Sequence, residues 1–268
     1  MDFANHLRRS TSADGAVVTL TVDRPEKKNA LTRATLAAIA EAAHELATDE
    51  RVCAVILAGA PCGTFLAGAD IDESLQIRTR GEARAFAELG YAAAAALAAL
   101  PVPVLVAMAG DAFGGGLELP LAGDVRILQT GARVAFVHAR MGLTTSWGTA
   151  ARLPALVGPS VARSLLFSSK MLSAEEALRV GLVTELADDA TAAAEALAQA
   201  IARGNRAAIV AQKRLFSLAD RGPITAAIDA AERDAFVEAW CADAHWAAVD
   251  RFFAGKRDCA SARNRRRR

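Results

Sequence analysis

The chain has 268 residues, 31 Lys plus Arg against 30 Asp plus Glu, and 53% hydrophobic residues. That length can bury a large core, the charge balance gives no reason to expect nucleic acid as the main ligand, and no stretch is long, apolar and proline-free enough to suggest a membrane span. The four cysteines, Cys53, Cys62, Cys241 and Cys259, lack metal-ligand or CxxC spacing, and the polar start does not resemble a signal segment. A reducing, cytoplasmic setting without disulfides or a metal is therefore expected.

In chain order, Val18, Leu20 and Val22 alternate with Val17, Thr19 and Thr21, which predicts a first strand buried mainly on one face. Thr32 is positioned to cap a helix whose apolar stripe is Leu36, Ile39, Ala43 and Leu46. Residues 53–57 form a second apolar strand run, followed by a turn-like stretch at 59–63 and the loop Phe65-Leu66-Ala67-Gly68-Ala69-Asp70. The Ala/Leu-rich stretch 91–108 is interrupted by Pro101 and Pro103 and reads as helix, break and strand, the strand running to Met108. A helix over 115–121 and a strand over 125–128 follow. Ser173-Ala174-Glu175-Glu176 is a capping-box pattern opening a helix that ends before Gly181. Strand signals vanish after Gly204, and residues 205–219, 224–240 and 242–253 read as three helices. The basic run at 263–268 has no apolar periodicity and reads as a solvated end, with weak phosphate binding as the alternative.

Two glycine-containing loops carry the chemistry. In Ala112-Phe113-Gly114-Gly115-Gly116-Leu117-Glu118, three glycines follow a buried strand, so main-chain N–H groups can approach an oxygen closely, and Glu118 lies about one helical turn on. The loop at Gly68 and Ala69 offers a second donor, and two N–H groups from separate loops can flank one carbonyl.

With Asp23-Arg24-Pro25-Glu26-Lys27-Lys28-Asn29-Ala30-Leu31 and Ala174-Glu175-Glu176-Ala177-Leu178-Arg179-Val180-Gly181-Leu182-Val183, these motifs resemble the crotonase (enoyl-CoA hydratase/isomerase) superfamily, from about residue 17 to 256. The resemblance implies an α/β fold, a spiral of ββα turns over residues 1–203 with a C-terminal helical subdomain at 204–257; the basic tail at 258–268 lies beyond it and is expected from its composition to be disordered. It implies an acyl-CoA thioester substrate, no cofactor apart from the coenzyme A of that substrate, and assembly as a homotrimer or dimer of trimers. It also places the oxyanion donors on the backbone N–H groups of Ala69 and Gly115. Substrate contacts are expected at Lys27, Ala30, Ala67, Asp70 and Gly114, with Phe253 and Lys256 reaching coenzyme A, in several members of the family that of a neighbouring subunit.

Hydratases of this family carry a second glutamate twenty residues after the first, and here that position is His138. Like charges at about 4 Å repel by about 4 kcal/mol at an effective dielectric of 20, so histidine beside Glu118 tolerates a substrate carboxylate better than a second glutamate would. This favours decarboxylation of a small 2-substituted malonyl-CoA, with His138 or protonated Glu118 returning a proton to carbon. Phe136-Val137-His138, Met141-Gly142 and Ser146-Trp147-Gly148 are also similar to the ethylmalonyl-CoA decarboxylase branch. Hydration of a 2-enoyl-CoA, with His138 in place of the second glutamate, is the alternative. Arg140 is a candidate partner for a substrate carboxylate or coenzyme A phosphate or, equally, for a surface salt bridge, and Trp147 for a wall of the acyl pocket or a core residue. His6, His44 and His245 fall outside these motifs and have no expected chemical role.

Overall fold

The computed structural model describes residues 6–220, 223–243, 245–247, 249–251, 253 and 254. Strand β1 (Leu7–Thr11) runs antiparallel to β2 (Val17–Val22), and helix α1 (Arg33–Thr48) starts at Thr32, whose side chain accepts from the Thr35 N–H. Strand β3 (Ala54–Gly59), buried throughout, lies parallel to β2.

From β3 onward the chain alternates between two sheets. Strand β4 (Thr64–Leu66) leaves the first sheet, and helices α2 (Ile71–Ser74) and α3 (Arg80–Ala98) return the chain. Strand β5 (Val104–Met108) then pairs with β3, while β6 (Asp111–Phe113) pairs with β4 and leads into helix α4 (Gly115–Glu118). Strands β7 (Val125–Gln129) and β8 (Arg133–Ala135) repeat the step, followed by helices α5 (Thr149–Val157) and α6 (Pro159–Ser168). Strand β9 (Leu172–Ser173), helix α7 (Ala174–Arg179), strand β10 (Glu185–Ala187) and helix α8 (Ala190–Ala202) complete the spiral. Helices α9 (Arg206–Asp220) and α10 (Pro223–Trp240) follow.

The larger sheet has the order β1-β2-β3-β5-β7-β10, parallel except at β1, and the smaller one β4-β6-β8-β9, parallel except at β9. Parallel strands covered on both faces read as unbroken apolar runs, which is why β3 and β5 are apolar at nearly every position. One face of the larger sheet contributes Val55, Leu57, Val104 and Val106 to a core shared with α1 and α3. Its other face, through Ala54, Ile56, Leu105 and Ile127, packs on the alanine stripe Ala190, Ala194 and Ala198 of α8.

Two details differ from the sequence-based expectation. The helix expected over 115–121 breaks after Glu118 into a 3-10 turn, Leu119–Ala122, because Pro120 has no N–H to donate. Strand β2, expected to be buried mainly on one face, is buried on both, because Val18, Leu20 and Val22 join the core with α1 and α3 while Val17 joins the side covered by α8. Helix α10 is anchored on α3 and its approach: Trp240 Nε1 donates to the Ile77 carbonyl at 3.0 Å, and Arg84 and Arg80 of α3 pair with Asp234 and Glu238.

Candidate active site

Three loops meet where β4 and β6 end. A Cβ on Gly68 would lie 2.8 Å from the Phe113 carbonyl oxygen and 3.5 Å from the Gly115 nitrogen, so the loop at 67–70 rests directly on the glycine turn. The segment after β2 is strapped to the same loop, with Leu31 N–H donating to Gly68 O and Asp70 N–H to Leu31 O, both at 2.8 Å. Ala67 N–H donates to Lys28 O, and Ala30 is buried beside it.

Asn29 holds this arrangement together. It sits at φ +54°, a left-handed conformation that Asn tolerates better than most residues. Its buried Nδ2 donates to the Ala60 and Thr64 carbonyls, and its Oδ1 accepts from Arg24 N–H. Sequence reasoning gave Asn29 no separate role; its place just after the proline-led turn at 25–27 was the available signal.

Gly114 (φ +54°, ψ −127°) turns the chain in a conformation that glycine adopts readily, and its N–H donates to Ala135 O. Gly115 then opens α4. Among the described residues, the N–H groups of Ala69 and Gly115 donate to no backbone carbonyl.

Glu118, at the end of α4, is buried. Its Oε2 accepts from the Ser146 and Trp147 N–H groups, each at 3.1 Å, and from the Thr149 hydroxyl at 2.8 Å. Its Oε1 lies 2.8 Å from His138 Nε2. Burial pushes this carboxyl up, but the charge and hydrogen bond of His138, the Thr149 hydroxyl and the Trp147 N–H outweigh it and hold Glu118 below the ordinary glutamate range. That direction disfavours protonated Glu118 as an acid. His138 opens a 3-10 turn, His138–Met141, and its Nδ1 is buried with no hydrogen-bond partner among the described residues.

Trp147 fills the remaining side. It is fully buried, edge-on to Phe86 with ring centroids 6.1 Å apart, and its indole lies between α3 and α4. A Cβ on Gly115 would sit 2.5 Å from its Cζ3 and Cη2.

The other sequence candidates are placed differently. The Asp70 carboxylate is taken up by structure: it caps α2 by accepting from Glu73 N–H and pairs with Arg24. Burial pushes its pKa up, yet those bonds and the Arg24 charge leave it below the usual range. Lys27 pairs with Asp72 at 2.8 Å on the surface, and exposed Arg140 donates to Ser169 O at 2.7 Å. Phe253 is half-buried on the C-terminal helical segment. Lys256 and the basic run at 263–268 lie outside the described residues. Sequence reasoning missed Ser146 and Thr149 as donors to Glu118, and Gly90 as the partner of Trp147. Among the described residues, no group of three or more His, Cys, Asp or Glu side chains is placed to hold a metal, and no helix is long and apolar enough to cross a membrane.

Residues 12–258 match the enoyl-CoA hydratase/isomerase family model. The short-chain-enoyl-CoA hydratase of Clostridium acetobutylicum is 38% identical over 175 residues, 65% of this chain and 67% of that protein. A Mycobacterium tuberculosis protein bearing the name "Probable enoyl-CoA hydratase EchA17" is 35% identical over 247 residues, 90% of this chain and 92% of that one. A solved enoyl-CoA hydratase from Mycobacterium avium subsp. paratuberculosis superposes with a TM-score of 0.83 at 26% identity, covering 93% of this chain and all of its own. The spiral of paired strands, the glycine turn and the matched sequence agree: the chain belongs to the enoyl-CoA hydratase/isomerase family and is an acyl-CoA-processing enzyme of the crotonase superfamily.

Proposed function

We propose that the enzyme stabilises a thioester enolate, with the Ala69 and Gly115 N–H groups holding the thioester oxygen and His138 Nδ1 exchanging a proton with the reacting partner. The observation that carries this reading is the Glu118–His138 pair. The carboxylate has three donors on one oxygen and His138 on the other, so it orients the imidazole and leaves Nδ1 as the reactive nitrogen. Support for the oxyanion donors comes from the contact of the Gly68 loop with Gly115 and from their uncommitted N–H groups. Each such donor contributes about 2.7–4 kcal/mol to lowering the barrier.

The first reaction we assign is decarboxylation of a small 2-substituted malonyl-CoA. The bond to the substrate carboxylate breaks, carbon dioxide leaves, and the electron pair passes to the thioester oxygen as the enolate. A proton from Nδ1 of the imidazolium then goes to carbon, and the carbonyl re-forms. No water needs activating, and no second carboxylate stands beside the one that leaves.

Hydration of a 2-enoyl-CoA is the second reading, favoured by the hydratase names of the relatives. There His138 Nδ1, unprotonated, accepts a proton from water as the water oxygen bonds to the β-carbon, the same two donors hold the resulting enolate, and the imidazolium then returns that proton to the α-carbon as the thioester carbonyl re-forms. The coenzyme A of the substrate would lie along the strapped segment at 27–31, and neither reading calls for another cofactor.

The test is incubation of the full chain with crotonyl-CoA, methylmalonyl-CoA and ethylmalonyl-CoA in separate reactions, with products followed by mass spectrometry. Loss of carbon dioxide from the malonyl thioesters is expected. Gain of water on crotonyl-CoA alone would replace the first reading by the second, and absence of both products would remove the enolate reading.

A further inference from the structure

The Trp147 indole is accommodated by glycines on two different elements. On α3, a Cβ at Gly90 would overlap Nε1 and Cε2 of the ring, and on α4 a Cβ at Gly115 would press on Cζ3 and Cη2. Glycine inside a helix is disfavoured relative to alanine, and just beyond Gly90 α3 runs through five consecutive alanines, 92–96, so the indole accounts for Gly90. The backbone on either side of the ring is fixed as well. Trp147 N–H donates to Glu118, and its carbonyl accepts from Arg152 Nη1 at 2.7 Å. Phe86 closes one side of the ring. Among the described residues Nε1 has no hydrogen-bond partner, so the indole is held by shape and a smaller apolar side chain breaks no bond of that group.

We propose that Trp147 is the specificity-determining residue that confines the acyl group to short chains. The inference rests on the enolate reading above, which puts the thioester carbonyl at the Gly115 N–H. The benzo edge of the indole lies on that same glycine, and the ring occupies the space between α3 and α4 that a longer chain would enter. A close-packed interior does not yield such space without moving side chains, and here both flanking positions are backbone. A short acyl group is seated against the ring edge, whereas a long one has to displace the indole from Gly90.

The test compares binding of butyryl-CoA and octanoyl-CoA, saturated thioesters that cannot be hydrated or decarboxylated, by titration calorimetry on the full-length protein, Trp147→Phe and Trp147→Ala. The wild type is expected to bind butyryl-CoA at least tenfold more tightly than octanoyl-CoA. Trp147→Ala is expected to reduce that ratio to threefold or less, with Trp147→Phe between the two. Thermal unfolding of each variant confirms that it is folded, and if Trp147→Ala is not, Trp147→Phe carries the comparison. Equal wild-type affinities, or an unchanged ratio in a folded variant, would overturn the assignment of Trp147 while leaving the enolate reading in place. Binding of neither thioester to the wild type would overturn the acyl-CoA site itself and this inference with it.

Discussion

Four hydrogen bonds converge on the Glu118 carboxylate, two of them from backbone N–H groups of the segment that leads into α5. Glu118 and His138 are legible in the sequence because one follows a glycine run and the other stands at a fixed spacing from it. The Ser146 and Trp147 donors are not legible, since every residue but proline has an N–H and only the fold aims it. Asp70 illustrates the reverse: its position in a motif suggested ligand contact, whereas its geometry makes it a helix cap paired with Arg24. Because Glu118 is held below its ordinary value, its contribution to stability is fully present above the unfolded value of about 4.5 and is lost as pH falls through the lower folded value. Glu118→Gln is therefore expected to lose on the order of 2 kcal/mol of stability at neutral pH, through weaker acceptance from three donors and His138. That deficit should shrink below about pH 4.5 in denaturant titrations run at several pH values. The same variant should still bind butyryl-CoA but turn over about 10²–10⁴-fold more slowly, the range for loss of an acid–base group. Near-wild-type turnover would remove the pair from the mechanism.

At the scale of elements, the strands that read clearly are the apolar runs β2, β3, β5 and β7, and α1 and α7 read clearly from the caps at Thr32 and Ser173, whereas α8, capped by Asp189, and the first half of α3, capped by Thr79, do not. Strand β1, Leu-Arg-Arg-Ser-Thr, is too polar to announce itself, and the smaller sheet is built from strands of two or three residues, shorter than any usable period. That smaller sheet nevertheless sets the glycine turn, and its glycines differ in what they require. Gly114 needs its backbone angle alone, since a Cβ there would meet only Val137 Cγ2 at an ordinary 3.5 Å. Gly116 needs space, because a Cβ would overlap the Leu66 carbonyl of β4. Gly114→Ala is accordingly expected to cost about 1–3 kcal/mol, the range for a non-glycine residue in a sparsely populated region. Gly116→Ala should cost more, because β4 has to move. Chemical denaturation of the two variants checks the order, and a smaller loss for Gly116→Ala would contradict the tight seating of α4 on β4.

Across the whole molecule, the C-terminal helices reach back to the turn that carries His138. Their helical character was legible from sequence; where they dock was not, because the contacts are between residues far apart in the chain. Phe86 touches Trp147 on one side and Phe236 and Trp240 on the other, and Trp240 in turn stacks near His245 at 4.9 Å. His245 is buried, and its Nδ1–H donates at 2.6 Å to the carbonyl of Met141, the last residue of the His138 turn. Burial pushes the His245 pKa down, the nearby Arg78 charge acts in the same direction, and the bond to Met141 opposes both without reversing them. A histidine that resists protonation when folded makes the unfolded chain bind more protons as pH drops below about 6.5, so stability falls from there until the folded value is reached. His245→Phe keeps an apolar ring in the aromatic cluster but leaves the Met141 carbonyl unpaired, an expected cost of about 1–3 kcal/mol at pH near 7.5. The variant also loses the proton-linked penalty, so the difference between the two proteins is expected to narrow as pH is lowered to about 5.5. Urea midpoints of both proteins across that interval measure this directly. A difference that stays constant with pH would mean that His245 docks the C-terminal helices by packing alone.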